Sequence, residues 1–219
     1  PIYCRTRVLG NTFDPDNAIA PGRGNLFPIT INLPYLALEV KESLKEGEDL
    51  YTKFNMALDK RVDDVIQMLD DRFEVVAKRK AKNFPFAMGQ HLYIGSENLR
   101  PNDPIREVIK HGTLVAGFIG LAETLVALTG KHHGESEESW KLGLEIVGRM
   151  NDRVAEHAKK TTMNYSFMAS PAEGCCGRLL KCTRKRFGVI PGITDHEYHT
   201  NSFHVQIGRA SCRERVSSP

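Results

Sequence analysis

The chain has 219 residues, of which 41% are hydrophobic and 26% are charged. This composition supplies enough apolar material for a sizeable core and fits one large globular domain. The 30 basic and 27 acidic residues leave a net charge of +3 that is spread along the chain, which argues against a nucleic-acid-binding surface. No apolar stretch is long enough to span a bilayer, and the first residues have neither an initiator Met nor a signal-peptide layout, so we expect an internal piece of a larger protein without a membrane partner.

The cysteine pattern indicates a reducing compartment. The five cysteines are odd in number and include no CxxC pair, which argues against a secreted disulfide framework and against a zinc ribbon. We therefore predict a cytoplasmic protein. The cysteines are Cys4, Cys175, Cys176, Cys182 and Cys212.

The first half of the chain is predicted to contain two strands and one long helix. Residues 2–9 alternate β-branched and aromatic side chains and are predicted to form a strand or an extended loop. Residues 27–33, with an Ile-Thr-Ile core, follow a glycine-rich turn and are predicted to form a buried strand. From residue 48 to about residue 80, apolar residues recur at steps of three and four, which predicts an amphipathic helix with a structural role.

The second half of the chain is predicted to alternate between helices and strands. A long helix with Trp140, Leu144, Val147, Met150 and Val154 on its apolar face is preceded by capping candidates near residues 135–136. The predicted elements are a small-residue segment at 112–120, helices at 121–128 and about 135–160, a strand at 163–168, a basic helix that ends near residues 187–188, and a strand at 200–205.

The order of these elements predicts the fold class. Strands that alternate with helices form a parallel sheet or an α/β barrel, in which chemistry is carried out at the carboxyl ends of the strands. The class predicted is therefore α/β.

Six segments together resemble, in order, the anaerobic (class III, glycyl-radical) ribonucleoside-triphosphate reductase family. The resemblance extends over nearly all of residues 1–206 and implies the second half of that family's ten-stranded α/β barrel. The segments are Tyr-Cys-Arg-Thr-Arg at 3–7, Gly-Arg-Gly-Asn at 22–25, Thr-Ile-Asn-Leu-Pro at 30–34, Gly-Phe-Ile-Gly-Leu-Ala-Glu at 117–123, Ser-Pro-Ala-Glu-Gly at 170–174 and Thr-Asn-Ser-Phe-His-Val at 200–205.

The resemblance implies a radical reaction centred on Cys4. A glycyl radical outside this chain would convert Cys4 to a thiyl radical, which abstracts the 3′ hydrogen of the ribose before the 2′ hydroxyl leaves as water. Asn25 is expected near the ribose hydroxyls, where an amide can donate and accept hydrogen bonds. Thr6, two residues after Cys4, is expected to offer a hydroxyl on the same side of an extended loop.

The same resemblance implies a phosphate site in the turn that precedes the basic helix. Backbone N–H groups and the helix dipole would bind the substrate phosphate, assisted by Ser170. Pro171 is expected at the first position of the helix. The predicted phosphate-binding residues are Ser170, Ala172, Glu173 and Gly174.

The family also implies cofactors and partners. The substrate is a ribonucleoside triphosphate, and the reductant is formate or a thiol. A radical-SAM enzyme would install the glycyl radical, allosteric ATP or dNTP would bind outside this chain, and the protein would form a homodimer.

Two other functions remain open from the sequence. Adjacent thiols such as Cys175 and Cys176 also occur in the related glycyl-radical acyltransferases such as pyruvate formate-lyase. In those enzymes, however, the pair lies on the radical loop, so we interpret it here as packing or as a redox-sensitive site. The other alternative is a noncatalytic remnant that binds a partner through the long helix at 48–80.

The end of the chain is interpreted as non-native. Residues 207–219 continue none of the patterns above and resemble a translated sequencing adapter, so we assign 1–206 to a partial catalytic barrel and give Cys212 no role. His196, His199 and His204, with Cys182 nearby, match no common zinc-ligand spacing, and we predict no metal site.

Overall fold

The computed structural model describes residues 10–16 and 19–202, and the backbone alone at residue 173. The regular elements in this part of the chain are β1 (Asn25–Asn32), α1 (Leu33–Glu42), α2 (Leu50–Ala77), α3 (Pro85–Gly89), α4 (Arg106–Ile109), β2 (Thr113–Ile119), α5 (Leu121–Thr129), α6 (Glu137–Lys160), β3 (Asn164–Ala169) and α7 (Glu173–Phe187), with short 3₁₀ turns at Ala81–Asn83 and Ser96–Asn98.

The three strands form one parallel sheet in the order β1-β2-β3. The N–H of Thr113 donates to the carbonyl of Gly24 at 2.8 Å, where β1 and β2 begin. The N–H of Ser170 donates to the carbonyl of Phe118 at 2.9 Å, where β2 and β3 end. Every residue of β2 is buried, as expected for the middle strand of a parallel sheet. The predicted α/β class is confirmed.

The chain divides into two compact units. The first comprises the described residues between 10 and 29 together with 62–116 and 152–168, and the second comprises residues 30–61, 117–151 and 169–202. Within the described residues, no helix is both long enough and apolar enough to cross a bilayer.

The first unit has a core built on the second half of α2. Val62, Leu69 and Phe73 of this helix are each at most 3% exposed, because apolar residues at helical spacing share one face. A turn at Gly22 lies against Ile94. Gly22 has a φ of +74°, and a Cβ there would lie 2.7 Å from Ile94 Cγ1, so glycine is required at this position.

The second unit has a core formed by α1, α5 and the first half of α2. Phe54 and Leu58 of α2 are at most 1% exposed, as is Leu125 of α5. Gly120, with a φ of +79°, ends the β2 segment next to Pro34, and a Cβ there would lie 2.3 Å from the proline ring. This close approach brings α1 against the start of α5.

Most predicted elements are confirmed within one to three residues at their ends. The helix predicted at 48–80 is α2, those at 121–128 and 135–160 are α5 and α6, and the strand at 163–168 is β3. Helix α1 was not predicted. The predicted strand at 2–9 lies outside the described residues, and residues 200–202 of the predicted strand at 200–205 have no regular structure.

The predicted apolar face of α6 was right at Met150 and Val154 and wrong at Trp140 and Leu144. Trp140 and Leu144 of α6 are 49% and 55% exposed, whereas Ile146, Met150 and Val154 are buried. The buried face of α6 is rotated about the helix axis relative to the predicted face, because Gly143 rather than Leu144 packs against Leu125 of α5. A Cβ on Gly143 would lie 3.2 Å from the Leu125 Cδ1 atom.

Truncation of Leu69 is expected to destabilise the fold strongly. Leu69 is fully buried, so Leu69→Ala leaves a cavity and lowers the free energy of unfolding by about 3 kcal/mol. Its neighbour Met68 is 48% exposed, and Met68→Ala should change that free energy by less than about 0.5 kcal/mol. Urea unfolding of both variants measures the difference, and equal effects would contradict the assignment of the buried face.

Candidate functional site

Of the residues predicted to act on the ribose, only Asn25 lies in the part of the chain that the structure describes. Cys4 and Thr6 lie outside the described residues. Asn25 is the first residue of β1 rather than part of the preceding turn. Its Oδ1 atom is buried and accepts no hydrogen bond from any described residue. A buried acceptor without a partner is costly, so this amide oxygen is available to a donor on a ligand.

Ser170 directly follows β3 and is nearly buried, with 7% of its surface exposed. Its hydroxyl lies 2.7 Å from the hydroxyl of Thr30 on β1, although β1 and β3 are not neighbours in the sheet. This contact fixes the orientation of the Ser170 side chain at the carboxyl end of the sheet. Thr30 was not predicted as a site residue, although it lies in the Thr-Ile-Asn-Leu-Pro segment that carried part of the resemblance.

The turn after Ser170 leads into α7 through a strained residue. Ala172 is the N-cap of α7 with φ 45° and ψ 30°, a left-handed conformation that is uncommon for alanine. Its carbonyl accepts hydrogen bonds from the N–H groups of Cys175 at 2.8 Å and Cys176 at 2.7 Å. Pro171, predicted at the first helical position, instead precedes the N-cap.

The first turn of α7 has the properties of an anion site. No described side chain caps this helix end. The N–H groups of Cys175 and Cys176 donate to the Ala172 carbonyl, whereas those of Glu173 and Gly174 come too early in α7 to have an acceptor within the helix. The helix dipole adds partial positive charge there. Gly174 is exposed, and no described atom lies within 4 Å of the position that its Cβ would occupy, so a ligand can approach its backbone. Glu173 is the first helical residue, and its side chain lies outside what is described.

The segment at 200–202 closes the same edge of the sheet. Gly120 N–H donates to the carbonyl of Thr200 at 2.6 Å, just after β2. Ser202 N–H donates to the carbonyl of Ser170 at 3.2 Å, just after β3. The segment is therefore held by backbone contacts next to the Ser170 turn.

Glu123 holds this segment through its buried carboxylate. Its Oε1 accepts from Thr200 N–H at 2.7 Å, its Oε2 accepts from the Thr200 hydroxyl at 2.6 Å, and His196 Nε2 lies 3.1 Å from Oε1. Burial alone would raise the pKa of Glu123, but His196, the nearby His199 ring and Thr200 outweigh it and lower the pKa to about 2. Contact with Glu123 also raises the pKa of His196.

Glu123 was not predicted as a site residue. The only signal was its place in the Gly-Phe-Ile-Gly-Leu-Ala-Glu segment at 117–123, because nothing in the sequence indicates a partner 77 residues away.

None of the three described cysteines forms a disulfide bond with another described residue. Cys175 is half-buried, Cys176 is buried and Cys182 is exposed. The adjacent pair lies in the first turn of α7, next to the candidate anion site. Its interpretation as packing or as a redox-sensitive site stays a prediction.

The parallel sheet, with an uncapped helix N-terminus at its carboxyl edge, defines an α/β protein with a candidate phosphate site. Its sequence matches the profile of the anaerobic ribonucleoside-triphosphate reductase family over residues 1–217. The chain belongs to this family. The match includes part of the tail predicted to be non-native, and the division at residue 206 stays a prediction.

Curated relatives carry the same family name. The anaerobic ribonucleoside-triphosphate reductase of Escherichia coli is 34% identical over 215 residues, and that of Haemophilus influenzae is 32% identical over 213 residues. Both alignments cover 94% of this chain and 28% of the relative. The enzyme of phage T4 is 29% identical and is covered over 32% of its length. The chain thus spans about a third or less of these relatives.

Solved structures support the fold. The anaerobic ribonucleotide reductase from Thermotoga maritima with citrate in the active site has a TM-score of 0.61 at 17% identity, over 88% of this chain and 31% of that chain. The same enzyme with dATP bound in the specificity site has a TM-score of 0.57 at 18% identity, over 81% of this chain and 27% of that chain.

Proposed function

We propose that this chain is part of the catalytic barrel of an anaerobic reductase that converts ribonucleoside triphosphates to deoxyribonucleoside triphosphates. Family membership and the alignment over 94% of the chain support this proposal. The observation that carries it is the uncapped N-terminus of α7, directly after Ser170 at the carboxyl edge of the parallel sheet. Phosphate groups bind at such helix ends.

The turn at 170–174 would hold the substrate phosphate. The left-handed Ala172 turns the chain so that α7 begins immediately afterwards, and the N–H groups of Glu173 and Gly174 would donate to phosphate oxygens. The Thr30 contact positions the Ser170 hydroxyl beside this turn. The chain's net charge of +3 is spread along its length, so the local N–H groups and dipole supply the attraction.

The radical step would take place on Cys4. The glycyl radical, which the resemblance places outside this chain, supplies the radical by taking the hydrogen atom of the Cys4 thiol. Cys4 then abstracts the 3′ hydrogen of the ribose and returns it after the 2′ hydroxyl has left as water, while formate or a thiol provides the two electrons. The protein's contribution is to position the sulfur and to exclude water and oxygen.

Asn25 and Thr6 would act on the ribose hydroxyls. The Oδ1 of Asn25, which has no partner in the described part of the chain, would accept a hydrogen bond from a ribose hydroxyl, and its Nδ2 would donate to the departing oxygen. Thr6, two residues from Cys4, would add a further hydroxyl. These roles follow the family resemblance, with the free acceptor on Asn25 as structural support.

The remaining partners are those of the family. We propose that a radical-SAM activating enzyme installs the glycyl radical, that ATP or dNTP effectors bind outside this chain, and that the full protein is a homodimer in the cytoplasm. Family membership favours this reductase over the related acyltransferase and over a noncatalytic remnant.

Removal of the Ser170 hydroxyl tests the phosphate site. In the full-length reductase that carries this segment, Ser170→Ala should raise KM for the triphosphate about tenfold, equivalent to about 1.4 kcal/mol, with a smaller change in kcat. The affinity for the corresponding nucleoside, which has no phosphate, should not change. Ser43→Ala, at an exposed serine after α1, is the matched control. An unchanged KM in Ser170→Ala, or an equal loss for the nucleoside, would remove Ser170 from the phosphate site.

A further inference from the structure

A second cluster of ligating side chains lies in the second unit. Glu123, His196 and His199 each offer a donor atom, and these atoms lie within 4.8 Å of one another. Glu123 and His199 are almost completely buried, with 2% and 0% of their surfaces exposed. The side chain of His196 is 15% exposed and borders a pocket of about 550 Å³. The cluster is thus buried on one side and accessible on the other.

The hydrogen bonds of His199 determine which of its ring nitrogens carries the proton. The Thr183 hydroxyl uses its hydrogen to donate to the carbonyl of Leu179 at 2.9 Å, so it can only accept from His199 Nε2, which lies 3.1 Å away. His199 Nε2 is therefore a protonated nitrogen, and in the neutral ring Nδ1 carries a lone pair.

The Nδ1 atom of His199 has no hydrogen-bond partner among the described residues. It is buried and lies 3.9 Å from Glu123 Oε1, which is beyond hydrogen-bond distance. In this tautomer, a lone pair on nitrogen faces a carboxylate oxygen in a buried site. Such an arrangement is unfavourable unless positive charge, either a proton on Nδ1 or a metal ion, lies between the two atoms.

His196, like His199, has one ring nitrogen near Glu123 and the other near a hydrogen-bond acceptor. Its Nδ1 lies 3.2 Å from Asp195 Oδ1, and its Nε2 lies 3.1 Å from Glu123 Oε1. A metal-bound histidine commonly donates its other N–H to a carboxylate or another acceptor, which fixes the ring. Asp195 provides that acceptor for His196, and Thr183 provides it for His199. Both rings are oriented with their second nitrogen towards Glu123.

The distances suit a small divalent ion. Zinc–nitrogen and zinc–oxygen bonds near 2.1 Å place tetrahedral ligand atoms about 3.4 Å apart. The separations from Glu123 Oε1 are 3.1 Å to His196 and 3.9 Å to His199, so each of these two needs to change by less than an ångström. The two histidine nitrogens lie within 4.8 Å of one another and need to approach by at most about 1.4 Å. The adjacent pocket, which His132 and Asp195 also line, admits water as a fourth ligand.

We propose that Glu123, His196 and His199 form a binding site for a divalent transition-metal ion of the zinc type. Two imidazole nitrogens and one carboxylate oxygen bind the ion, which takes the position of the proton between His196 and Glu123. The ion links the start of α5 to the segment at 196–200. This proposal departs from the sequence-based prediction of no metal site, because that prediction considered histidine and cysteine spacing alone and did not include Glu123.

Cobalt binding tests the proposal. The full chain is treated with a chelator and titrated with Co²⁺, and one equivalent should bind with the visible absorption of a low-coordinate nitrogen and oxygen site and be displaced by Zn²⁺. His196→Gln should weaken binding at least about tenfold, because loss of a ligand costs at least as much as loss of its supporting partner. His91→Gln, at an exposed histidine in a turn, is the matched control and should bind as the unaltered chain does.

Ring-nitrogen NMR of the unaltered chain provides a measurement that needs no variant. On addition of Zn²⁺, the signals of two histidines should shift, and they should be those of His196 and His199. Absorption from thiolate-to-cobalt charge transfer, unchanged affinity in a folded His196→Gln chain, or shifts confined to other histidines would each overturn the site.

Discussion

Replacement of Cys4 by serine is expected to abolish the reduction of ribonucleoside triphosphates by the full-length protein, with a loss of at least about 10⁴-fold in turnover. A hydroxyl does not form the oxygen-centred radical that would replace the thiyl radical under these conditions, so hydrogen abstraction from the ribose stops. The glycyl radical elsewhere in the protein should still form, because its installation does not use Cys4. Deoxyribonucleotide formation and the radical's electron paramagnetic resonance signal measure the two effects separately.

The matched control for Cys4→Ser is Cys182→Ser. Cys182 is a free, exposed thiol on α7, and its replacement should leave turnover within about twofold. Substantial turnover by Cys4→Ser would exclude Cys4 as the hydrogen abstractor. Loss of the glycyl radical signal in that variant would instead indicate a defect in activation.

Replacement of Asn25 by alanine is expected to lower kcat about 100-fold while KM for the triphosphate changes much less. The amide is proposed to act on the hydroxyls that react, so its hydrogen bonds strengthen in the transition state. Steady-state kinetics of the full-length protein measure both constants. Asn25→Asp keeps Oδ1 but removes the N–H donor. Its kcat should exceed that of Asn25→Ala only if hydrogen-bond acceptance at Oδ1 is the main contribution of Asn25 to the reaction.

Asn102→Ala is the control for this prediction. Asn102 lies exposed in a turn, and its replacement should change neither constant. A loss in Asn25→Ala that appears only in KM would assign Asn25 to substrate binding and would contradict a role in the reaction.

Helix α2 was predictable from the sequence because burial alone determines its pattern. Phe54, Leu58, Val62, Leu69 and Phe73 are each at most 3% exposed and recur at the spacing of one helical face. The burial of these residues depends on no specific long-range contact, so the periodicity of apolar residues was sufficient to predict the helix.

Helix α1 was missed because it follows β1 without a loop. Leu33 is the first helical residue, yet it continues the apolar run of the strand, and the helix is buried at six of its ten residues. Its polar residues, Glu39, Lys41 and Glu42, are confined to the last turn, so the first part of the helix shows little 3.6-residue contrast. The available signal was Pro34, which lies in the first turn, where proline is favoured.

The site was predictable only where the contacts are local. The turn from Ser170 to α7 could be recognised because proline, small residues and a following helix adjoin in the sequence. The contacts of Ser170 with Thr30 and of Glu123 with Thr200 join residues 140 and 77 positions apart. A single sequence contains no signal for contacts between residues so far apart, so Thr30 and Glu123 were recognised as site residues only in the structure.

The most direct test is the structure of the full-length protein bound to a ribonucleoside triphosphate. Phosphate oxygens should lie within hydrogen-bond distance of the Ser170 hydroxyl and of the N–H groups of Glu173 and Gly174. The Asn25 amide should contact a ribose hydroxyl, and the Cys4 sulfur should face the 3′ carbon. A Cys4 thiol on the outer surface, or a nucleotide bound away from the 170–174 turn, would contradict it.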